Sequence, residues 1–212
     1  MAEWLVVVLT AVNAVKSGEW STWRPFWMCG RGLANSTVGI VGLGRIGFAV
    51  ARRLRPFAIA RILYAGHREK PYAADVTAEF VPLDTLLAQS DFVIASCPMS
   101  PETNNLFSAS SFSRMKRTSI FINTSRGGVV NQPDLYEALK TGVIAAAGLD
   151  VTTPEPLPVN SELLTLDNCV ILPHIGSATI ETRTAMSVLT ARNILSALSG
   201  QPVPCQLDIQ QY

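Results

Sequence analysis

The stretch that decides the fold is "VGIVGLGRIGFAVARRL", residues 38–54. It predicts a short apolar strand that leads directly into a helix. Three glycines, Gly42, Gly44 and Gly47, form a G-x-G-x-x-G pattern at the junction. In such a pattern the first glycine permits a tight turn, the second lets backbone approach a pyrophosphate, and the third lets the helix pack on the strand. A lone glycine pattern is weak evidence, but its place between strand and helix predicts a dinucleotide site rather than a merely structural turn.

The chain that follows repeats the same alternation of short apolar runs and helical stretches, which is typical of stacked βα units and a parallel sheet. We predict an α/β fold with an open, doubly wound parallel sheet. The predicted strands are residues 37–42, 60–65, 92–97, 119–124, 144–151 and 169–173. A long helix is predicted over residues 178–199, closed by Gly200.

The front of the chain is unusually apolar. Residues 2–17 predict a largely buried helix that ends at Gly18. Residues 19–33, which we call the aromatic arm, hold Trp20, Trp23, Phe26 and Trp27 without a regular period. Two interpretations stay open at this point: an arm packed on a neighbouring subunit, or a local aromatic cluster.

Composition limits the partners of the protein. The 212 residues are 48% hydrophobic and 16% charged, enough to bury a sizeable core. With 17 Lys and Arg against 16 Asp and Glu, the net charge of +1 gives no general attraction to nucleic acid or to an anionic membrane. The apolar run over residues 4–12 is too short to cross a bilayer, and Glu3 precedes it where a signal peptide would be basic. We therefore predict neither a nucleic-acid nor a membrane protein.

The cysteines indicate a reducing compartment. No two of them have C-x-x-C spacing, and they lie far apart in the chain: Cys29, Cys97, Cys169 and Cys205. This spacing favours buried, reduced thiols over disulfides or a zinc site. We predict a cytoplasmic protein without a metal.

The end of the second predicted strand concerns the choice of cofactor. In a dinucleotide unit, an acid about 20 residues after the glycines binds the ribose 2′-hydroxyl of NAD. In "ILYAGHREK", residues 62–70, the strand end lacks that acid and is followed by His67, Arg68 and Lys70. These cations can pair with the 2′-phosphate of NADP. We predict NADPH, with NAD accepted less well; the alternative is a solvated basic turn in which Glu69 reaches the ribose.

Three polar residues follow later strands, at the edge where open α/β sheets bind ligands: Arg126, Glu155 and His174. A carboxylate beside an imidazole favours its protonated form, which can give a proton to a carbonyl oxygen as hydride arrives. An arginine can hold the carboxylate of a 2-oxo acid. Each residue also has a plain structural interpretation, as a helix-side ion pair, a loop carboxylate and a strand cap. Spacing alone leaves their convergence open.

Four motifs in order resemble the D-isomer-specific 2-hydroxyacid dehydrogenases, most closely the glyoxylate/hydroxypyruvate reductase branch. They are "VGLGRIG", "FINTSRGGVVNQPDLYEALKTGVIAAAGLDV", "PEPLP" and "VILPHIGSAT". The resemblance implies a Rossmann-type fold, and it implies that Arg126 orients the substrate, that Glu155 partners the histidine and that His174 is the acid/base.

The resemblance also implies contacts to cofactor and substrate. Cofactor contacts are implied for Gly44, Arg45, Ile46, Pro98, Thr124, Asp150 and Gly176. Asp150 would lie near the nicotinamide amide and Ser177 near the substrate. Family dimers form through the cofactor domain, so Trp23 of the aromatic arm would line the partner subunit's substrate pocket. One departure is His67, where NADP-preferring members usually carry arginine.

The resemblance implies a division of the chain into a dinucleotide-binding domain, residues 18–177, and remnants of a substrate domain. The linking helices and tail, residues 1–17 and 178–212, would belong to that second domain, whose N-terminal part the chain lacks. The expected function is NADPH-dependent reduction of glyoxylate or hydroxypyruvate to the D-2-hydroxy acid by a homodimer. The alternative is a truncated dinucleotide-binding or dimerisation module with weak or absent turnover.

Overall fold

The structure, a computed structural model, describes residues 11–206 of the chain. The start of the predicted first helix and the last six residues lie outside this range. Residues 11–17 are helical, and the helix ends as predicted at Gly18, whose φ is +76°. The amide of Glu19 donates to the Ala14 carbonyl at 2.9 Å, which completes the C-terminal turn.

A seven-stranded parallel sheet forms the centre of the protein, in the order β3-β2-β1-β4-β5-β6-β7. The strands are β1 Thr37–Val41, β2 Arg61–Ala65, β3 Ala78–Phe80, β4 Phe92–Ala95, β5 Ile120–Asn123, β6 Ala146–Leu149 and β7 Cys169–Ile171. The predicted Rossmann-type α/β fold is confirmed. The prediction of six strands was wrong by one, since β3 was missed. This strand has three residues, and Glu79 and Phe80 are exposed, so it carries no apolar run to recognise.

Five helices of the described chain connect or follow these strands: α1 Arg45–Leu54, α2 Leu83–Gln89, α3 Ala109–Arg114, α4 Gln132–Lys140 and α5 Ile180–Leu198. Short 3-10 turns occur at Arg55–Phe57, Pro71–Val76, Gly127–Val129 and Glu162–Thr165. The predicted long helix over 178–199 corresponds to α5.

The core lies on both faces of the sheet. Because side chains alternate along a strand, Val93 packs into one hydrophobic cluster and Ile94 into the other. Phe107, Phe112 and Phe121 form the aromatic centre of the first cluster, with ring centroids 4.7 and 5.6 Å apart around Phe121. Burial on both faces explains why the strands are continuous apolar runs instead of alternating ones.

We call the edge of the sheet where the strands begin the amino edge. It contains a network of hydrogen bonds and ion pairs around Asp91. Its carboxylate accepts a hydrogen bond from the Thr37 amide and one from Lys116 Nζ, both at 2.9 Å, and Arg31 lies at 3.9 Å. Burial raises the pKa of Asp91, but the Thr37 amide, Lys116 and Arg31 outweigh burial, so the pKa lies below its usual value.

The chain divides into two compact units, one ending at Pro173 and the other beginning at His174. The predicted division into residues 18–177 on one side and residues 1–17 and 178–212 on the other, and its assignment to cofactor and substrate domains, stay predictions. In the second unit, Thr179 caps α5 by accepting from the Thr182 amide, and Gly200 follows the helix at φ +64°. No residue of α5 is buried.

The four cysteines are free thiols, but the prediction that they are buried was wrong for two of them. Cys97 is buried and Cys169 half-buried, and burial raises the pKa of both thiols, that of Cys169 to about 12. Cys29 and Cys205 are exposed, because each lies in an irregular segment outside the sheet. Among the described residues, no helix is long and apolar enough to span a membrane.

The aromatic arm is not a closed local cluster. Trp20, Trp23 and Phe26 are 63%, 81% and 89% exposed. Trp27 is half-buried, and the Arg24 guanidinium lies 4.0 Å from the centre of its ring. A large apolar surface is therefore exposed in this part of the chain.

Candidate dinucleotide site and catalytic loops

The opposite edge of the sheet, where the strands end, we call the carboxyl edge. In the sheet β1 lies between β2 and β4, so the chain reverses its direction of winding there. Ligands of open α/β sheets bind at this switch point, outside the carboxyl ends of the strands. The glycine pattern after β1 and the loop after β4 lie on either side of it.

The glycine turn, residues 42–47, has a different constraint at each glycine. Gly42 has φ +96°, and a Cβ there would lie 2.8 Å from backbone atoms of Ser96 and Cys97. A Cβ on Gly47 would lie 2.3 Å from the Gly42 carbonyl oxygen. A Cβ on Gly44 would meet no heavy atom within 4 Å. Two of the glycines are thus required by packing, while the third borders open space that a ligand can enter.

Helix α1 starts at this open space. Its N-cap residue is Gly44, no side chain caps the helix, and its first turn contains no acid. Arg45 and Ile46 at the start of the helix are exposed. The first amides of a helix have no partner within the helix and carry a partial positive charge, so this end of α1 suits an anionic group.

A buried hydroxyl without a partner lies next to the glycine turn. Ser96 Oγ is shielded from solvent and makes no hydrogen bond in the described chain. A buried hydroxyl left unsatisfied costs about 1–3 kcal/mol. The backbone of Ser96 lies directly against Gly42. The open space at Gly44 and the uncapped helix together fit a bound dinucleotide phosphate.

The basic turn, residues 66–70, follows β2 beside the glycine turn. His67 and Arg68 are exposed and Lys70 is half-buried. The turn is anchored by two tyrosines: the Lys70 amide donates to Tyr64 Oη, and Tyr72 Oη donates to the Leu43 carbonyl, both at 2.8 Å. The predicted cations therefore stand within the same corner of the molecule as the predicted phosphate site.

Glu102, on the loop after β4, lies in the electrostatic range of this turn. The Ser100 hydroxyl is the main cause of a lowered pKa at Glu102, and His67 contributes a smaller part. Pro98, a predicted cofactor contact, is exposed on the same loop. The proximity of Glu102 to His67 was not predicted from the sequence, because the two residues lie on loops that follow different strands.

The loop that carries Arg126 is organised by one buried amide. Asn123 is fully buried; its Nδ2 donates to the Arg126 carbonyl at 2.9 Å. Its Oδ1 accepts from the amide and hydroxyl of Ser125 at 3.0 and 2.9 Å. Thr124 and Arg126 are exposed, and an Arg126 guanidinium nitrogen donates to the Ser125 carbonyl at 2.7 Å. The turn thus presents Arg126 outward at the carboxyl edge.

The loop that carries Glu155 is held against this turn. A Cβ on Gly127 would lie 2.0 Å from the Thr152 carbonyl oxygen, so only glycine permits the contact. The Gln132 side chain donates to the Thr153 carbonyl at 2.6 Å and accepts from the Thr153 amide at 2.8 Å. Glu155 is exposed, and Asp150 is buried at the end of β6. The structure therefore brings the loops after β5 and β6 together.

The remaining predicted residues begin the second unit. His174 and Gly176 are exposed and Ser177 is half-buried. His174 has φ +54°, an uncommon value for a residue other than glycine, although histidine is among the residues that tolerate it. The convergence of His174 with Arg126 and Glu155 stays a prediction, as does the role of Trp23.

Four residues that shape this edge were missed from the sequence: Tyr72, Ser96, Asn123 and Gln132. The role of Asn123 could have been predicted, because a polar residue at the end of a buried apolar strand needs a hydrogen-bond partner. Gln132 and Tyr72 act on residues 21 and 29 positions away, which no local pattern reports.

Comparison with known proteins shows which family the chain resembles. Residues 3–176 match the family model of the D-isomer specific 2-hydroxyacid dehydrogenase, NAD binding domain. The chain is 60% identical over 200 residues to the glyoxylate reductase/hydroxypyruvate reductase of Mus musculus and 58% identical to that of Homo sapiens. Each alignment covers 94% of this chain and 61% of the relative, so the chain spans about three fifths of their length.

A solved structure, the TT0316 protein of Thermus thermophilus, has a TM-score of 0.88 and 40% identity to this chain. The likeness covers 96% of this chain and 64% of that protein. The TM-score of 0.88 indicates that the two proteins share the Rossmann-type fold. The chain belongs to the D-isomer specific 2-hydroxyacid dehydrogenase family.

Proposed function

We propose that this chain binds NADPH at the carboxyl edge and reduces a small 2-oxo acid, glyoxylate or hydroxypyruvate, to the corresponding 2-hydroxy acid, which for hydroxypyruvate is the D isomer. The observation that carries the proposal is the glycine turn, which has open space at Gly44 and the uncapped start of α1 beside it. The identity of 58–60% to two proteins named glyoxylate reductase/hydroxypyruvate reductase supports the choice of substrate.

The cofactor would be held mainly by segments that follow strands β1, β4, β5 and β6. The glycine turn and the first amides of α1 bind the pyrophosphate, with Arg45 and Ile46 beside it. Pro98, Thr124 and Asp150 would contact the cofactor toward its nicotinamide end, and the family resemblance implies a further contact from Gly176. NADPH, when bound, supplies the hydride.

We propose NADPH over NADH because of the charge of the basic turn. No acid stands directly at the end of β2, and Arg68, Lys70 and His67 follow it. A guanidinium can hold a 2′-phosphate through two parallel hydrogen bonds, whereas a carboxylate would repel it. NADH, which has no 2′-phosphate, would bind less tightly.

The reaction needs an oriented substrate and one proton. The Arg126 guanidinium would hold the substrate carboxylate and polarise the neighbouring ketone. His174 would donate its proton to the carbonyl oxygen as the carbonyl carbon accepts hydride, and Glu155 would hold the imidazole in the required orientation. Ser177 would contact the substrate. The imidazole then regains a proton from solvent.

We also propose a homodimer formed through the aromatic arm, in which Trp23 lines the partner's substrate pocket. The exposed Trp20, Trp23 and Phe26 provide an apolar surface suited to a self-complementary interface. Sedimentation equilibrium should give a dimer at micromolar concentration, and Trp23→Ser should weaken it by at least tenfold, as for an aromatic residue central to an interface. A stable monomer for the unaltered chain would contradict this role of the arm.

A second candidate function is a dinucleotide-binding or dimerisation module without turnover. The exposure of Arg126, Glu155 and His174 favours it, because such reactions are usually shielded from water. In either case the free thiols suit a reducing compartment, and we propose the cytoplasm.

One experiment separates the two candidates. NADPH oxidation is followed in the presence of hydroxypyruvate, and NADPH binding is measured by fluorescence on the same preparation. Binding with substrate-dependent oxidation supports the reductase. Binding without oxidation supports the dinucleotide-binding module. Absence of binding contradicts both the reductase and the dinucleotide-binding module, and leaves only a dimerisation module.

A further inference from the structure

A tyrosine links the basic turn to the glycine turn. Tyr72 Oη donates to the Leu43 carbonyl at 2.8 Å, and its ring packs edge-on against Phe48 of α1, with centroids 5.4 Å apart. Leu43 lies between Gly42 and Gly44. Because a peptide unit is planar and trans, holding this carbonyl also fixes the direction of the Gly44 amide.

The same segment is tied to the sheet at a second point. The Lys70 amide donates at 2.8 Å to Tyr64 Oη, and Tyr64 is buried in the core. Lys70 and Tyr72 therefore stand close together in sequence at the anchored end of the basic turn. The cations nearer β2, His67 and Arg68, are exposed and lie between this anchor and the strand.

The two turns differ in how firmly the rest of the protein holds them. The glycine turn is fixed by close packing of Gly42 on residues 96–97 and of Gly47 on the Gly42 carbonyl, and by the hydrogen bond from the Gly42 amide to the Ala65 carbonyl. Residues 66–69 are all exposed. Loss of the Tyr72 hydrogen bond should therefore displace the basic turn more than the glycine turn.

We propose that Tyr72 is a positioning residue for cofactor selection: it sets the separation between the pyrophosphate site and the cations that would bind the 2′-phosphate. This inference rests on the proposed NADPH site. NADPH must place its pyrophosphate on the glycine turn and its 2′-phosphate on the basic turn at the same time, so its affinity depends on the separation of the two turns. NADH has the pyrophosphate but no 2′-phosphate, so its affinity should not depend on the separation of the two turns.

The test is Tyr72→Phe, which keeps the ring against Phe48 and removes only the hydroxyl. Dissociation constants for NADPH and NADH are measured by fluorescence titration. We expect NADPH to bind about three- to tenfold more weakly, the loss of about one neutral hydrogen bond, and NADH to change by less than about twofold. The matched control is Tyr136→Phe, which removes a hydroxyl from α4 and should change neither constant.

Two further variants separate the possible failures. If Arg68→Ala leaves NADPH binding unchanged, the proposed NADPH site is wrong. If Arg68→Ala weakens NADPH but Tyr72→Phe does not, the positioning role is overturned while the site stands. Equal losses for NADPH and NADH in Tyr72→Phe would mean that Tyr72 supports only the glycine turn, which also overturns the proposal. In the Arg68→Ala background, the further loss from Tyr72→Phe should shrink, because the group it positions is gone.

Discussion

The two edges of the parallel sheet differ in whether the chain itself supplies hydrogen-bond or ion-pair partners for their polar groups. At the amino edge, the Asp91 carboxylate has a backbone amide and two cations around it, all from the chain itself. At the carboxyl edge, the start of α1 has no side-chain cap, Ser96 Oγ has no partner in the described chain, and Arg68 is exposed. At the amino edge the chain itself supplies the partners of the polar groups, whereas at the carboxyl edge the first amides of α1 and the Arg68 guanidinium are accessible donors for a ligand.

This difference separates stability from function within one sheet. Removing a group at the amino edge should lower the free energy of unfolding without affecting the cofactor. Removing a group at the carboxyl edge should weaken binding or turnover and leave the fold nearly as stable as before, because its donors have less to lose inside the chain.

The largest expected effect is on turnover. His174→Ala should lower any hydroxypyruvate-dependent NADPH oxidation by about 100- to 10,000-fold, the usual contribution of a general acid. NADPH affinity and the unfolding midpoint should hardly change, because the imidazole acts on the carbonyl and is exposed. Steady-state rates and fluorescence titrations on the same preparation check this; retained turnover would remove His174 from the mechanism.

The next effect is on cofactor choice. Arg68→Ala should weaken NADPH by about tenfold to a hundredfold, the loss of a charge-assisted hydrogen bond of about 1.5–3 kcal/mol, and leave NADH nearly unchanged. The matched control is Arg61→Ala at the other end of β2, where the guanidinium pairs with Glu79 at 2.8 Å. Isothermal titration with both cofactors measures the effect. Equal losses for both cofactors in Arg68→Ala, or an NADPH loss in the control, would contradict the assignment.

The smallest effect is on stability at the amino edge. Because the pKa of Asp91 is lower in the folded than in the unfolded chain, its contribution is present above about pH 4 and is lost as pH falls through the folded pKa. Asp91→Asn should lower the free energy of unfolding at pH 7 by about 1–2 kcal/mol and make stability less dependent on pH below about pH 4. Urea unfolding at several pH values measures both.

The control for this prediction is Asp84→Asn. Asp84 pairs with Arg114, but its side chain is 69% exposed, so its loss should change stability by less than about 1 kcal/mol. An Asp91→Asn protein as stable as this control, or one with weakened NADPH binding, would remove the distinction between the two edges.

The sequence predicted those parts of the molecule that depend on neighbours along the chain. The six apolar strands follow from burial on both faces of the sheet, and the glycine turn follows from the steric freedom of Gly42. The end of the long helix was marked by Gly200. The short, exposed β3 has no such pattern. The sequence did not predict the roles of Tyr72, Gln132 and the Asp91 network. Their hydrogen bonds join segments that are distant in sequence and adjacent only in the folded sheet.

The most direct test of the account is amide hydrogen exchange of the protein with and without NADPH. We predict slower exchange on binding at the glycine turn, the start of α1 and the basic turn, and no change at the amino edge around Thr37, Asp91 and Lys116. Protection at the amino edge, or unchanged exchange in the glycine turn at saturating NADPH, would contradict the assignment of the carboxyl edge as the cofactor site.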